Sequence, residues 1–580
     1  MDNTELGYPA KGTTTTTVQH DSGSEGRKGF GGFVDSFKPA PSGGISPSVK
    51  SLADSADVQQ ADQLSQGLKS RHLQMIAIGG SIGTGLFVGS GSALSTGGPA
   101  SVVIGFALVG IMIYCTVQAL GELAVQFPIA GSFAAHASRF VDPAWGFAMG
   151  WNYALLWLIS LPLEIIAASI TISFWKSAAD IDPTVWVAIF FVAITVINLF
   201  GVKGYGEAEF VFSIIKVIAV IGFIILGIII DCGGVPGDDR GYLGARTWYE
   251  PGAFNNGFKG LCSVFITAAF AFSGTELVGL AAAETQNPRI ELPKAIKQVF
   301  WRILLFYMVS LTIAGLLVPY DDPRLLGSSD TDANASPFVI AIRDAGISGL
   351  PSVMNAVIMI AVLSVGNSSI YASSRTLAAL AEQGQAPKSF AYIDRAGRPL
   401  VSILVSSAFG LLCFIVAAGE NAQSEAFTWM LAISGLSLIL AWLSVCLCHI
   451  RFRAAWKKQG RRLDELAFRS QTGVIGSYIG LIFNCLVLIA QFWIGAFPVG
   501  WREMTAADQV ESFFQAYLAA PVVLAFYFGF KIWKRTSIHT ASTIDITTGT
   551  REINLPKILE EERQERMTWP AWKRCYRFFC

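Results

Sequence analysis

Apolar residues in this chain gather in long uninterrupted blocks, and polar residues collect between them. A helix needs roughly 20 apolar residues to cross a bilayer, and the blocks match that length. The pattern predicts twelve spans, near residues 73–95, 100–126, 146–175, 184–202, 208–230, 258–284, 299–319, 352–382, 400–418, 425–449, 475–496 and 511–533. Several exceed the minimum, so tilt or extension beyond the lipid is expected. The chain therefore reads as an all-α polytopic membrane protein whose transmembrane domain covers 71–533. Residues 1–70, polar and rich in Gly and Ser, read as a disordered cytoplasmic tail, and 534–580 as a cytoplasmic carboxy-terminal tail whose acidic segment Glu560-Glu561-Glu562 is expected in an amphipathic helix. No charged segment followed by an apolar core opens the chain, so the first span is expected to direct insertion.

Two blocks break the pattern. The first span carries Gly79, Gly80, Gly83, Gly85, Gly89 and Gly91, centred on Ser81-Ile82-Gly83-Thr84-Gly85. Glycine inside a helix costs about 1 kcal/mol, and unpaired backbone groups find no partner in hydrocarbon. Such a run marks either a close helix contact or a helix broken where it lines a cavity. Five spans later stands Phe270-Ala271-Phe272-Ser273-Gly274-Thr275-Glu276, again a glycine between hydroxyls in mid-span. Paired interruptions at that spacing fit an inverted repeat of five plus five helices, with helices 1 and 6 broken and two appended. The freed N–H groups of Gly83, Thr84 and Gly85 suit a carboxylate. The carbonyls around Ser81, Phe270, Ala271 and Ser273 suit an ammonium group. A zwitterion carrying both groups on one carbon matches the two poles. Phe272 is expected to close over a bound solute, and Ile82, Thr275 and Ser434 to shape its pocket.

Composition supports the membrane reading. The 580 residues are 52% hydrophobic and only 14% charged, where a soluble domain averages about 25% charged. Formal net charge is zero, which argues against a nucleic-acid partner. With a cytoplasmic amino terminus, inner loops hold Arg139, Lys203, Arg289, Lys294, Lys297, Lys388, Arg395, Arg398 and the basic run Arg451 to Arg469. The positive-inside rule then places both termini in the cytoplasm. Most cysteines fall inside apolar runs and make no disulfide framework. Metalloprotease, nucleophile-elbow and Walker motifs are absent, and the five histidines lack ligand spacing, so neither enzyme chemistry nor a cofactor is expected.

Ionisable residues inside spans are functional candidates, because each is costly in lipid. Glu276 ends the second interruption and is expected to couple or gate by carrying a proton, the alternative being a carboxylate that ties half-helix ends together. Glu122 and Glu164 read as structural partners of a serine, amide or cation ahead of substrate contacts. The Gly146/Gly150 spacing reads as helix packing.

The run Ile78 to Phe87, with Gly121-Glu122-Leu123, Leu161-Pro162-Leu163-Glu164, Ser273 to Leu277, Glu284 to Pro288, Ser373-Ser374-Arg375 and Ser434 through Arg453, resembles the yeast-type amino acid permeases. Those belong to the amino acid–polyamine–organocation superfamily of LeuT-like fold, and the resemblance runs in order from about 70 to 560. It implies proton-coupled amino acid uptake across the plasma membrane, with protons as the coupling ion, membrane lipid as surroundings and endocytic ubiquitination machinery as a partner. It implies that Lys216 takes the place of a sodium ion beside the broken first helix and exchanges a proton. The alternative is a permanently charged lysine locking spans 5, 1 and 8. The terminus Arg577-Phe578-Phe579-Cys580 resembles that of permeases palmitoylated at the last cysteine, here Cys580. Two other functions fit the same outline: an amino acid sensor that does not transport, and a carrier of γ-aminobutyrate, choline or polyamines.

Overall fold

The computed structural model describes residues 35–39, 70–80, 82–129, 131–285, 288–325, 336–550 and 570. Helices dominate it. They are α1 Ser70–Gly79, α2 Thr84–Phe87, α3 Gly89–Gly97, α4 Pro99–Gln126, α5 Ser132–Phe140, α6 Pro143–Ile172, α7 Pro183–Leu199, α8 Gly201–Asp231 and α9 Gly257–Ala271. Then follow α10 Leu277–Leu280, α11 Pro288–Leu317, α12 Leu350–Glu382, α13 Leu400–Ala418, α14 Glu420–Lys458, α15 Gly473–Ala496, α16 Ala506–Tyr517 and α17 Ala519–Lys534.

Helix starts follow from local chemistry. Proline occupies the first turn of α6 and α7, where its missing N–H costs nothing. Asp142 and Asp182 stand before them and accept from the amides of Ala144 (2.9 Å) and Thr184 (2.8 Å), which helix geometry leaves unpaired.

Among the described residues, eight helices are long and apolar enough to cross a membrane alone, or nine with α16 and α17 taken as one span. That pair is bent by 62° at Leu518, where the hydropathy pattern predicts one continuous segment. α7 and α9 are shorter apolar helices. Other boundaries also move. α8 begins at Gly201, not 208; α11 begins at Pro288, not 299; and α14 runs from Glu420 to Lys458, well past the predicted 425–449. The reason is common to all three. Apolar content marks only the part of a helix in lipid, and polar turns continue the same helix beyond it.

α6, α12 and α14 are the most enclosed long helices, and α6 packs against both of the others. The expected Gly146 and Gly150 contact is there: side chains at these positions would strike Ser138 and Leu380. α8 and α15 lie outermost, showing stripes of exposed isoleucine such as Ile218, Ile225, Ile482 and Ile489. In a bilayer those stripes meet lipid tails.

Both ends of the described chain dock on loops at the same end of the bundle. Asp35 pairs with Arg395, and Phe37 lies 4.3 Å beneath the Arg398 guanidinium. At the other terminus, Thr536 and Lys531 bond Asp142, His539 bonds Val141, and Arg139 donates to the Thr548 carbonyl at 2.8 Å.

Candidate functional site

The first helix stops at Gly79 and resumes at Thr84. Ile82 and Gly83 are buried between, Gly83 in extended conformation, and Ser81 lies outside the described residues. The resumed segment is continued by α3. α9 ends at Ala271, and five residues pass before Leu277 starts α10. In that gap Gly274 has φ +87°, a left-handed conformation that residues with a Cβ rarely adopt. The two breaks touch. A Cβ on Gly85 would lie 2.4 Å from the Cα of Ala271 and 2.6 Å from its nitrogen, so only glycine admits this backbone-to-backbone approach.

Side chains from the neighbouring helices hold the loose ends. The Tyr307 hydroxyl donates to the Ala271 carbonyl at 2.7 Å, and the buried Arg302 donates to the Thr275 hydroxyl. Thr275 in turn donates to the Phe272 carbonyl at 2.6 Å, while the Phe270 carbonyl accepts from Ser273 at 3.0 Å. The Phe272 carbonyl accepts a second bond from the Thr275 amide at 3.3 Å, which engages both its lone pairs. The amides at the start of α2 have no carbonyl a turn earlier within the helix to receive them. Phe272 is fully buried in an aromatic cluster, its ring centroid 4.3 Å from Tyr307 and 5.9 Å from Phe106. It packs against α4 and α11 here.

Three ionisable candidates gather round the breaks. Glu164, from the middle of α6, accepts from the Thr84 hydroxyl at 2.5 Å. Glu276 lies at the start of α10, with the Tyr153 hydroxyl 3.4 Å away and the Gly274 amide at the same distance. Its second oxygen faces the Trp442 indole without a well-aligned bond. Lys216, from α8, donates to the Ser364 hydroxyl of α12 at 2.9 Å and lies 3.5 Å from Glu209 on its own helix. All are buried. One oxygen of Glu164, the Trp157 indole nitrogen and the Ser434 hydroxyl have no hydrogen-bond partner among the described residues. Several unpaired polar atoms around one pair of breaks are what a water-lined or ligand-lined centre needs.

Glu122 stands elsewhere, near the far end of α4. Arg453 and His449 of α14 lie 2.5 Å and 3.0 Å from its carboxylate, and the Ser470 amide donates at 2.7 Å. It ties α4 to α14 and to the loop before α15. Cys580 and the segment Glu560-Glu561-Glu562 lie outside the described residues. Sequence reasoning missed Tyr153, Trp157, Arg302, Tyr307 and Trp442, because nothing local marks which aromatic or arginine will face a break. It also missed Glu209, whose signal was available. Glu209 and Lys216 are seven residues apart, two turns along one helical face.

An all-helical polytopic chain whose centre is built from broken backbone and buried charge belongs to the class of multi-pass membrane proteins that handle a polar solute. The comparisons narrow the class. Residues 72–542 match the amino acid permease family, and the chain belongs to that family of amino acid transporters. The General amino-acid permease GAP2 of Candida albicans is 56% identical over 562 residues, covering 96% of this chain and 94% of its own length. The General amino-acid permease GAP1 of Saccharomyces cerevisiae is 53% identical over 585 residues, covering 99% and 94%. The Cationic amino acid transporter 1 of Schizosaccharomyces pombe is 51% identical over 549 residues, covering 94% and 88%.

Proposed function

We propose that this permease takes up L-amino acids across the plasma membrane, coupled to protons, by alternating access about the two broken helices. The observation that carries the reading is the contact of Gly85 with the backbone of Ala271. It brings the amides of Gly83, Thr84 and Gly85, at the start of a half-helix, beside the carbonyl ends of α9, an electropositive pole beside an electronegative one. The carboxylate of an amino acid binds the amides and its ammonium group the carbonyls. Neither pole touches the side chain, so the backbone site favours a broad range of neutral substrates. The names of the two general permeases among the relatives point the same way. Lys216 and Glu276 carry the coupling proton, Lys216 from α8 and Glu276 from the second break.

Uptake of labelled L-leucine, L-alanine and L-arginine into cells lacking their own permeases tests this. Accumulation that rises as external pH falls, with leucine and alanine competing, is the expected result. Binding without accumulation would make the protein a sensor. Selective uptake of γ-aminobutyrate, choline or polyamines would overturn the substrate class.

A further inference from the structure

Glu209 is as deeply buried as Lys216, and no step above uses it. It sits on α8 two turns before the lysine, about 10 Å along the axis. Ser364 bridges the pair, and a second serine supports the carboxylate. Lys216 donates to Ser364 at 2.9 Å, Ser364 donates to the second Glu209 oxygen at 2.7 Å, and the ammonium lies 3.5 Å from the first. The Ser213 hydroxyl, between them on the same face, contacts Glu209 at 3.4 Å and the Met75 carbonyl of α1 at 3.1 Å. A serine can accept and donate at once, so Ser364 is a bridge as well as a prop. Closer to the start of α8, Glu207 is half exposed and meets His72 at 3.1 Å and Arg71 of α1. Toward its start α8 therefore passes from a buried lysine to a buried carboxylate on one face and then, on another side of the helix, to the half-exposed Glu207, which pairs with the buried His72.

We infer that Glu209 is the residue through which the proton leaves Lys216. The inference rests on the proton-coupled reading above. The Nζ–H bond of Lys216 breaks as an O–H bond forms on Glu209, directly or through Ser364, leaving a neutral amine and a neutral carboxylic acid. Glu209 then gives its proton to water near the Glu207–His72 end and becomes a carboxylate again. The amine is reprotonated from the opposite side of the membrane. Charges facing Lys216 set the balance: Glu209 on its own helix, Glu164 from α6 and Arg302 from α11. Glu164 also holds Thr84, so the lysine feels the same carboxylate that anchors the substrate break. Met75, whose carbonyl holds Ser213, lies on α1 just before that break. Movement of α1 with substrate would open or close the exit.

Reconstituted full-length protein separates this from a structural role. Two assays are needed with labelled L-leucine: accumulation driven by a proton gradient, and counterflow exchange at equal pH, which needs no net proton release. For Glu209→Gln, accumulation is expected to fall by about tenfold or more while counterflow stays within about twofold. Glu209→Asp should restore part of the accumulation. Wild-type-like accumulation in Glu209→Gln overturns the inference, as does equal loss of both activities in both variants. If Glu209→Gln does not fold, Ser364→Ala, which keeps both charges, is expected to slow accumulation more than counterflow; equal slowing overturns it. Wild type that exchanges but never concentrates leucine on a proton gradient defeats proton coupling itself, and this exit route with it.

Discussion

The Thr84 hydroxyl donates to Glu164 across 2.5 Å, joining the first residue of the resumed half-helix to the middle of α6. Both residues are buried, and the other Glu164 oxygen has no hydrogen-bond partner among the described residues. Removing the hydroxyl strips the carboxyl of its one direct bond among the described residues, and a buried polar group left so costs about 1–3 kcal/mol. Thr84→Val is therefore expected to cut amino acid uptake by roughly tenfold, since 1.4 kcal/mol is a factor of ten. Thr84→Ser keeps the hydroxyl and should stay close to wild type. Uptake per molecule at the cell surface checks this, and equal activity of the two variants would show that the bond does not matter.

Contact between the two breaks makes a sharper demand at Gly85. A single methyl there meets backbone atoms of Ala271, which cannot swing aside as a flexible side chain does. Gly85→Ala should abolish most uptake. Gly222 on α8 has nothing within 4 Å of where its Cβ would lie, so Gly222→Ala is the matched control and should transport normally. Labelled leucine uptake by both, with surface protein quantified, decides the point.

Local signals made much of this readable. Each apolar block is helical, because a stretch that buries itself in lipid must pair its own backbone, and the glycine-rich interruptions fall where helices stop. The partners of the buried charges were not readable, since they come from helices distant in sequence. Glu122 is 327 residues or more from His449 and Arg453, and no periodicity within α4 points to α14. Arg302 was hidden differently: it lies within the first turns of an apolar run and looks like a residue at the water boundary, yet it is buried against Thr275. The bend at Leu518 did leave a trace that hydropathy passes over: both arms are apolar, but Pro521 cannot donate to the Tyr517 carbonyl and its ring crowds it, which breaks the helix at that corner.

Asp142 joins a cap to an anchor. Its carboxylate accepts from the Ala144 amide, the Thr536 hydroxyl at 2.6 Å and the Lys531 ammonium, so it starts α6 and holds the end of α17. Asp142→Ala removes all three bonds and is expected to destabilise the protein by about 1–2 kcal/mol, the range for losing a cap of this kind. Asp142→Asn keeps an oxygen for the cap and should lose less. Thermal unfolding in detergent measures both, and an unchanged midpoint for the alanine variant would mean the segment after α17 is held without it.

His136, on the short helix α5 between α4 and α6, gives the fold a dependence on pH. Burial, assisted by the nearby Arg139 cation, pushes its imidazole down to about 3, against an unfolded value of about 6.5. The unfolded chain therefore binds this proton more tightly than the folded one. Stability is undiminished above pH 6.5 and falls as the pH drops below it, by about 1.4 kcal/mol per unit, or about 2 kcal/mol at pH 5. Asp142 acts in a lower window. Burial pushes its carboxyl up, but the bonds from Lys531, Thr536 and Ala144 outweigh that and hold it below the usual carboxylate range. Its contribution is thus kept until the pH falls below about 4. Between pH 7 and pH 5 the difference between wild type and His136→Gln isolates the histidine. The wild-type unfolding midpoint should drop further over that interval than the variant's, and parallel curves would show that His136 accepts a proton without cost to the fold.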